Sequence, residues 1–254
     1  MKPILKSGGK PRGLGNLLLD SLALTCSGLP TYAVMLGVGI MPCMALWLRA
    51  FEASDNHVLR VLKSAWQSGE WGFLSTVLAV AVVSLLWWVF VDLTIYVDLT
   101  RRGQGKKVEL IDSLGRAKDL YLPMLIIGIL VPLRICMGLV LFIVPGILAA
   151  IRLSLSTQAL LLEGATNTKA LQRSRQVVDA NMGKVVGNGI AFVVIAAILS
   201  AALNIFGTFI GIAAFGLSVT TTVLAVSFLK QLISVWGKAF RLILFKDLAN
   251  SIAN

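Results

Sequence analysis

Long uninterrupted runs of apolar residues dominate this chain. Residues 72–91 contain no acidic or basic side chain, and the sequence holds six runs of this kind. Because a helix needs about 20 apolar residues to cross the hydrocarbon of a bilayer, each run predicts a membrane-spanning helix. The predicted spans cover residues 29–48, 72–97, 120–142, 146–162, 184–204 and 208–229. The sixth span has a second candidate start at Gly216, which would leave residues 205–215 as an interfacial segment.

The composition agrees with this pattern. Apolar residues make up 57% of the 254 positions, and the mean hydropathy is +0.86. We therefore predict an all-α fold, an integral membrane bundle of six transmembrane helices with additional interfacial helices. The whole chain, 1–254, forms a single membrane domain in this prediction, with 1–28 and 230–254 as cytoplasmic or interfacial flanks.

The charge pattern predicts the orientation. The net charge is +11. Of the 23 Lys and Arg residues, 18 fall in 1–28, 98–119, 163–184 and 230–254, whereas loop 49–71 holds three. Basic residues collect on the cytoplasmic side of membrane proteins, so both termini are expected there. On a soluble protein this charge would suggest nucleic acid, but here it indicates anionic lipid and no nucleic-acid partner.

Two segments outside the spans have helical apolar periodicity. Residues 14–28 predict an amphipathic helix on the membrane surface, and residues 167–182 predict a second one. In the second, one stripe is apolar or small and the flanking positions are basic. Lys169, Arg173 and Arg175 are expected to contact lipid phosphates of the inner leaflet.

Two arginines lie inside the predicted spans. Folding spans three and four as a hairpin about residues 144 and 145 places Arg134 and Arg152 within about one helical turn of each other in depth, in the outer half of the bilayer. The sequence predicts no Asp or Glu inside any span at that depth, so the two charges need compensation. Two interpretations stay open: snorkelling to the interface or hydrogen bonding to carbonyls, or an outer-side anion site that binds a lipid phosphate.

The fourth predicted span also has a polar face. Ser156 lies one turn after Arg152, and Gln158 lies one turn after Ser154. Such residues hydrogen-bond between helices in membranes, or they line the path of a small-solute or lipid transporter or channel. The second reading is the alternative function.

Catalytic and metal motifs are absent from the sequence. The chain contains no Walker loop, no HExxH and no GxSxG, its single histidine is His57, and its three cysteines have no CxxC spacing. We therefore predict no enzymatic activity, no cofactor and no metal site.

Residues 141–187 resemble a known pattern. A Pro-Gly turn opens a span that carries an arginine and ends at a glutamate, followed by an Ala-Leu-x-x-Ser helix and a glycine-bearing span. The matching residues are Pro145, Gly146, Arg152, Glu163, Ala170, Leu171, Ser174 and Gly187. This is similar to the YciC-like proteins and to the membrane domain attached to some bacterial glycerophosphoryl diester phosphodiesterases. The resemblance implies a fold and a location in a bacterial inner membrane, and it says little about an activity.

Together these features predict a non-catalytic integral membrane module. Its expected partners are phospholipid and another membrane subunit or a second copy of itself.

Overall fold

A computed structural model describes residues 12–39, 71–106, 108–165, 167–213 and 219–253. These residues form helices connected by short turns, with no strand among them, which confirms the all-α prediction. The helices are α1 (Leu14–Ser27), α2 (Leu29–Gly39), α3 (Trp71–Gly103), α4 (Leu110–Leu141), α5 (Ile143–Leu153), α6 (Ser156–Glu163), α7 (Asn167–Ala180), α8 (Met182–Ala213) and α9 (Val219–Ala253).

Four helical segments are long and apolar enough to cross a membrane. They are Ser75–Gly103, Leu110–Leu141, Ile143–Glu163 and Met182–Gly211. A fifth candidate is the pair α1 and α2, whose axes bend by 70° at Gly28. The described residues therefore fit a multi-pass membrane protein with four spans, or five if the bent pair is one span. Residues 40–48 of the first predicted span lie outside the described ranges.

The predicted start of the sixth span near residue 208 is wrong. Thr208 lies inside α8, which continues without a break to Ala213, and the next described helix begins at Val219. Gly207 lies within α8 without interrupting it, and it packs closely against α9. A β-carbon there would lie 2.9 Å from Val226 of α9, and one at Gly211 would lie 2.5 Å from Thr222. Small residues at this spacing allow two helices to approach closely.

The predicted fourth span is also different. It begins at Ile143 rather than 146, and it is broken at Ser154 and Leu155 into α5 and α6. Only Phe142, in an extended conformation, separates it from α4. Pro145 lies in the first turn of α5, where the missing N–H of proline costs little. α6 ends at Gly164, whose φ of 68° suits a residue without a side chain.

Contacts divide the chain into two compact units, Met1–Tyr32 with Leu93–Asn254, and Ala33–Asp92. In the second unit, Trp87 Nε1 donates a hydrogen bond to the carbonyl of Val38 at 3.4 Å. Gly39 approaches Val91 and Trp88 closely enough that an added β-carbon would touch both.

In the first unit, the segments predicted to lie on the membrane surface pack against other helices of the protein. The C-terminal half of α9 is mostly buried, and α1 packs along it. Trp236 Nε1 donates to Ser21 Oγ at 2.9 Å. Arg12 joins the same two helices, with its guanidinium 2.6 Å from Asp20 and 3.6 Å from Asp247. The predicted amphipathic character of these segments therefore serves tertiary packing.

A buried carboxylate connects several helices of this unit. Asp98 of α3 is fully buried and accepts hydrogen bonds from Arg102 and from Ser113 of α4. Arg102 also donates to the carbonyl of Ser27 and to Thr31 Oγ1, each at 3.1 Å. One ion pair thus connects α1, α2, α3 and α4.

Removing this carboxylate should destabilise the protein strongly. Asp98→Ala leaves the largely buried guanidinium of Arg102 without its counterion, and breaking a buried pair in this way costs about 3 kcal/mol. The thermal unfolding midpoint of the protein in detergent measures the effect. The matched control is Asp112→Ala, since Asp112 is 57% exposed and pairs with Arg101 at 3.4 Å. That change should cost about 0.5 kcal/mol or less. Equal losses for the two variants would contradict a special role for Asp98.

Stability should also depend on pH through Asp247. Burial raises the pKa of Asp247, and the nearby charge of Arg12 offsets only part of that rise. Because the folded-state pKa lies above the unfolded value, this contribution is present at low pH and is lost as pH rises through the raised pKa. Asp247→Asn should therefore weaken the fall of the unfolding midpoint between about pH 4 and neutral pH. Asp20→Asn removes the other carboxylate bound to Arg12, and this variant should keep most of the pH-dependent fall of the unfolding midpoint. An unchanged pH profile in Asp247→Asn would contradict the assignment.

Candidate functional site

The two arginines found in the sequence lie on a tight helical hairpin. α4 and α5 cross at Gly138 and Gly146, where a β-carbon on Gly138 would come within 2.9 Å of the Cα of Gly146. Only glycine permits this approach, so the two helices run side by side immediately after the turn at Phe142. As a result, Arg134 on α4 and Arg152 on α5 come to the same side of the hairpin.

The break after α5 is stabilised by α7. A helix end leaves backbone groups without partners inside the helix. Ser174 Oγ donates to the carbonyl of Arg152 at 2.7 Å and accepts the backbone N–H of Leu155 at 3.2 Å. One hydroxyl therefore satisfies both sides of the break and fixes α7 against α5.

Arg152 has a carboxylate partner on α7. Its Nε lies 2.7 Å from Oδ1 of Asp179, and Nε of Arg175 lies 3.5 Å from Oδ2 of the same residue. The compensation that the charge of Arg152 requires therefore comes from an acidic side chain of the protein itself. Asp179 belongs to a helix outside the predicted spans, and only the folding of α7 back along α5 and α6 brings it here. The i, i+4 spacing of Arg175 and Asp179 was the one sequence signal that could have indicated it.

A cavity of about 340 Å³ lies beside this ion pair. Arg134, Arg152 and Arg175 line it from three different helices, and the remaining lining residues are mostly apolar. Asp179 neutralises one of the three positive charges. Among the described residues Arg134 makes no ion pair, so the cavity keeps an excess of positive charge. Guanidinium groups in this arrangement suit a phosphate or carboxylate.

The predicted inner-leaflet residues of α7 separate into different roles. Arg175 lines the cavity, whereas Arg173 donates to both carboxylate oxygens of Glu163 at 2.7 and 3.0 Å. This hydrogen bonding raises the pKa of Arg173 above its usual value. Lys169 is exposed. The stripe between them, predicted to rest on lipid, is instead buried against the protein: Ala170, Leu171, Ser174, Val177 and Val178.

Ser156 and Gln158 do not join the arginine cavity. Both are buried in α6, and Ser156 Oγ donates to the carbonyl of Leu153 at 2.7 Å. Neither amide atom of Gln158 has a hydrogen-bond partner in the described part of the chain. These residues therefore face the interior of the helical packing.

A second cavity lies between α8 and α9. Its volume is about 520 Å³, its lining is largely apolar, and Lys230 and Arg241 contribute the two charges. It is separate from the arginine cavity in its lining residues. In the described ranges, no cluster of His, Cys, Asp and Glu could hold a metal ion.

The Arg152–Asp179 ion pair makes two expectations incompatible. The sequence predicts Arg152 in the outer half of the bilayer and the helix of residues 167–182 on the inner leaflet. Because their side chains lie 2.7 Å apart, Arg152 and Asp179 share one depth, so only one placement can hold.

No protein-family model, no curated protein and no solved structure matches this chain. The candidate membrane spans and the cavity of the described residues define an all-α, multi-pass type of membrane protein with an arginine-lined cavity.

Replacing the buried amide of Gln158 should not harm the fold. A buried polar group without partners costs about 1–3 kcal/mol, and leucine fills a similar volume without that cost. Gln158→Leu should raise the thermal unfolding midpoint or leave it unchanged. Ser156→Ala is the control, since it removes a polar group that has a partner. A clear loss of stability in Gln158→Leu would show that the amide does have a partner.

Proposed function

We propose that this protein is a non-catalytic integral membrane module of a bacterial inner membrane that binds lipid or partner subunits. The arginine cavity takes an anion, most simply the phosphate of a phospholipid headgroup. The observation that carries the proposal is the convergence of Arg134, Arg152 and Arg175 on one cavity. Among the described residues, Asp179 is the one carboxylate that pairs with Arg152 and Arg175.

The surroundings of the cavity suit a lipid. Pro145, Leu148 and Ala149 line it beside the arginines, and the hairpin that carries it exposes large apolar side chains. A phosphate bound to the guanidinium groups would have acyl chains that contact apolar surface at once. A small soluble anion would gain nothing from that surface.

The apolar faces of α4 and α8 give the second part of the proposal. The most hydrophobic 18-residue windows of these helices are 6% and 0% buried. Such faces contact lipid tails, another membrane subunit or a second copy of the chain. The resemblance to the YciC-like proteins is part of the same proposal, supported by Pro145, Gly146 and Ser174 acting at the hairpin and its break.

A transporter or channel is the second candidate. The observation that favours it is the exposed polar face of α7. α7 lies along α5 and α6, which together form a segment hydrophobic enough to be a span. If that segment crosses the whole bilayer, water must reach α7 within it.

Lipid binding should depend on the cavity arginines. Native mass spectrometry of the purified protein should show bound anionic phospholipid, and the double variant Arg134→Ala/Arg152→Ala should lose about tenfold in its affinity, as expected for a charge-assisted contact of about 1.5 kcal/mol or more. The matched control is Arg173→Ala, which removes an arginine of α7 that pairs with Glu163 away from the cavity. Unchanged lipid in the double variant, or an equal loss in the control, would contradict the proposed site.

A further inference from the structure

The tip of the α4–α5 hairpin contains no polar side chain. Residues 137–151 read MGLVLFIVPGILAAI. The residues from Leu139 to Val144 are 45–87% exposed, so the other described helices do not cover them. A hairpin that emerged into water on the far side of the membrane would place this apolar surface in an aqueous phase.

The helix that returns from the turn is interrupted at Ser154 and Leu155, about halfway along the 21-residue segment Ile143–Glu163. α5 has 11 residues, which gives about 16 Å of helix at 1.5 Å per residue. The hydrocarbon core is about 30 Å thick. α5 therefore reaches about half of that thickness before the break at Ser154.

The turn is compatible with burial in lipid. Backbone groups in hydrocarbon need partners within the protein. The N–H of Phe142 donates to the carbonyl of Gly138 at 3.0 Å, and the N–H of Gly146 donates to the carbonyl of Phe142 at 3.3 Å. Pro145 has no N–H to satisfy. The turn therefore leaves few polar backbone groups without partners.

Polar groups mark the base of the hairpin. Arg134 precedes the end of α4 at Leu141 by seven residues, about 10 Å of helix, and Arg152 follows the start of α5 by nine, about 14 Å. The Asp179 ion pair places α7 at this level. On α7, Lys169, Gln172, Arg175, Gln176 and Asp179 are all exposed. These side chains require water or headgroups rather than hydrocarbon.

α4 has the two faces that such an arrangement needs. Leu122, Ile129 and Leu133 are exposed and form one stripe. At 3.6 residues per turn this stripe lies on the side of the helix opposite the buried Ser113, Ala117 and Ile127. One side of α4 is therefore free to contact lipid, and the opposite side packs against the rest of the protein.

We propose that the α4–α5 hairpin is re-entrant. Its tip, Leu139–Val144, lies among the acyl chains near the middle of the bilayer, and both helices enter from the membrane face on which α7 lies. Arg134, Arg152 and Arg175 then lie at the headgroup level of that same leaflet, where their positive charge complements lipid phosphates. This proposal places Arg134 and Arg152 on the membrane face where α7 lies, instead of in the outer half of the bilayer as the sequence predicts. The inference concerns topology and does not depend on anion binding in the cavity.

Cysteine labelling tests the topology in the full chain. In a background with Cys26, Cys43 and Cys136 replaced by serine, Val144→Cys and Gln176→Cys are treated with a membrane-impermeant maleimide in spheroplasts and in inverted vesicles. Gln176→Cys should be labelled in one preparation only. Val144→Cys should be labelled in neither, and both should be labelled after SDS. Labelling of Val144→Cys from either side overturns the proposal, because it places the tip in water.

A depth measurement excludes protection by protein contacts. A bimane fluorophore on Val144→Cys, in vesicles of phosphatidylethanolamine and phosphatidylglycerol, should be quenched most by lipids brominated near the ends of their acyl chains. Stronger quenching by lipids brominated near the headgroup, or no quenching at all, overturns the proposal. Val140→Cys, at the most exposed position of the tip, repeats both measurements if the first variant does not accumulate.

Discussion

Much of this structure depends on the contact between α7 and the end of α5, where the helix breaks. Arg152 reaches Asp179 through its side chain and Ser174 through its carbonyl. A highly polar helix is thereby fixed to a highly apolar hairpin, and any position of the molecule in a membrane must satisfy both. The cost of transferring polar side chains into hydrocarbon decides between the possible positions.

The long helices have little protein around them. α4 and α8 expose most of their apolar residues, whereas the dense packing involves α1, the end of α3, α6, α7 and the second half of α9. In water this distribution would be unstable, since large exposed apolar surfaces associate. In a bilayer it is expected, because lipid tails are as favourable a neighbour as another apolar side chain. The protein thus combines lipid-exposed helices with a compact helical layer held by Asp98, Arg102 and Arg12.

The arginine cavity shows how far the residues themselves indicate a site. A charge inside an apolar run is costly, and this alone singled out Arg134 and Arg152. The counterion of Arg152 could not be found in the same way, because Asp179 belongs to a polar segment 27 residues after Arg152. Arg175, expected to contact lipid as an isolated interfacial residue, completes the cavity. The roles of Arg173 and Arg175 differ only through what each one faces after folding.

The sequence by itself determined the helical class, the apolar segments and the amphipathic stripes, because these depend on local periodicity and composition. It predicted the stripe of residues 170–178 correctly as one face of a helix. Tertiary structure decided what that face covers, where the broken helix ends, and that residues 205–213 continue α8 rather than beginning a separate span or interfacial segment. The reason is physical: an apolar stripe gains similar free energy against lipid or against protein, so its pattern alone does not select its neighbour. Only the specific contacts of Ser174, Asp179 and the glycines Gly138, Gly146 and Gly207 make that choice.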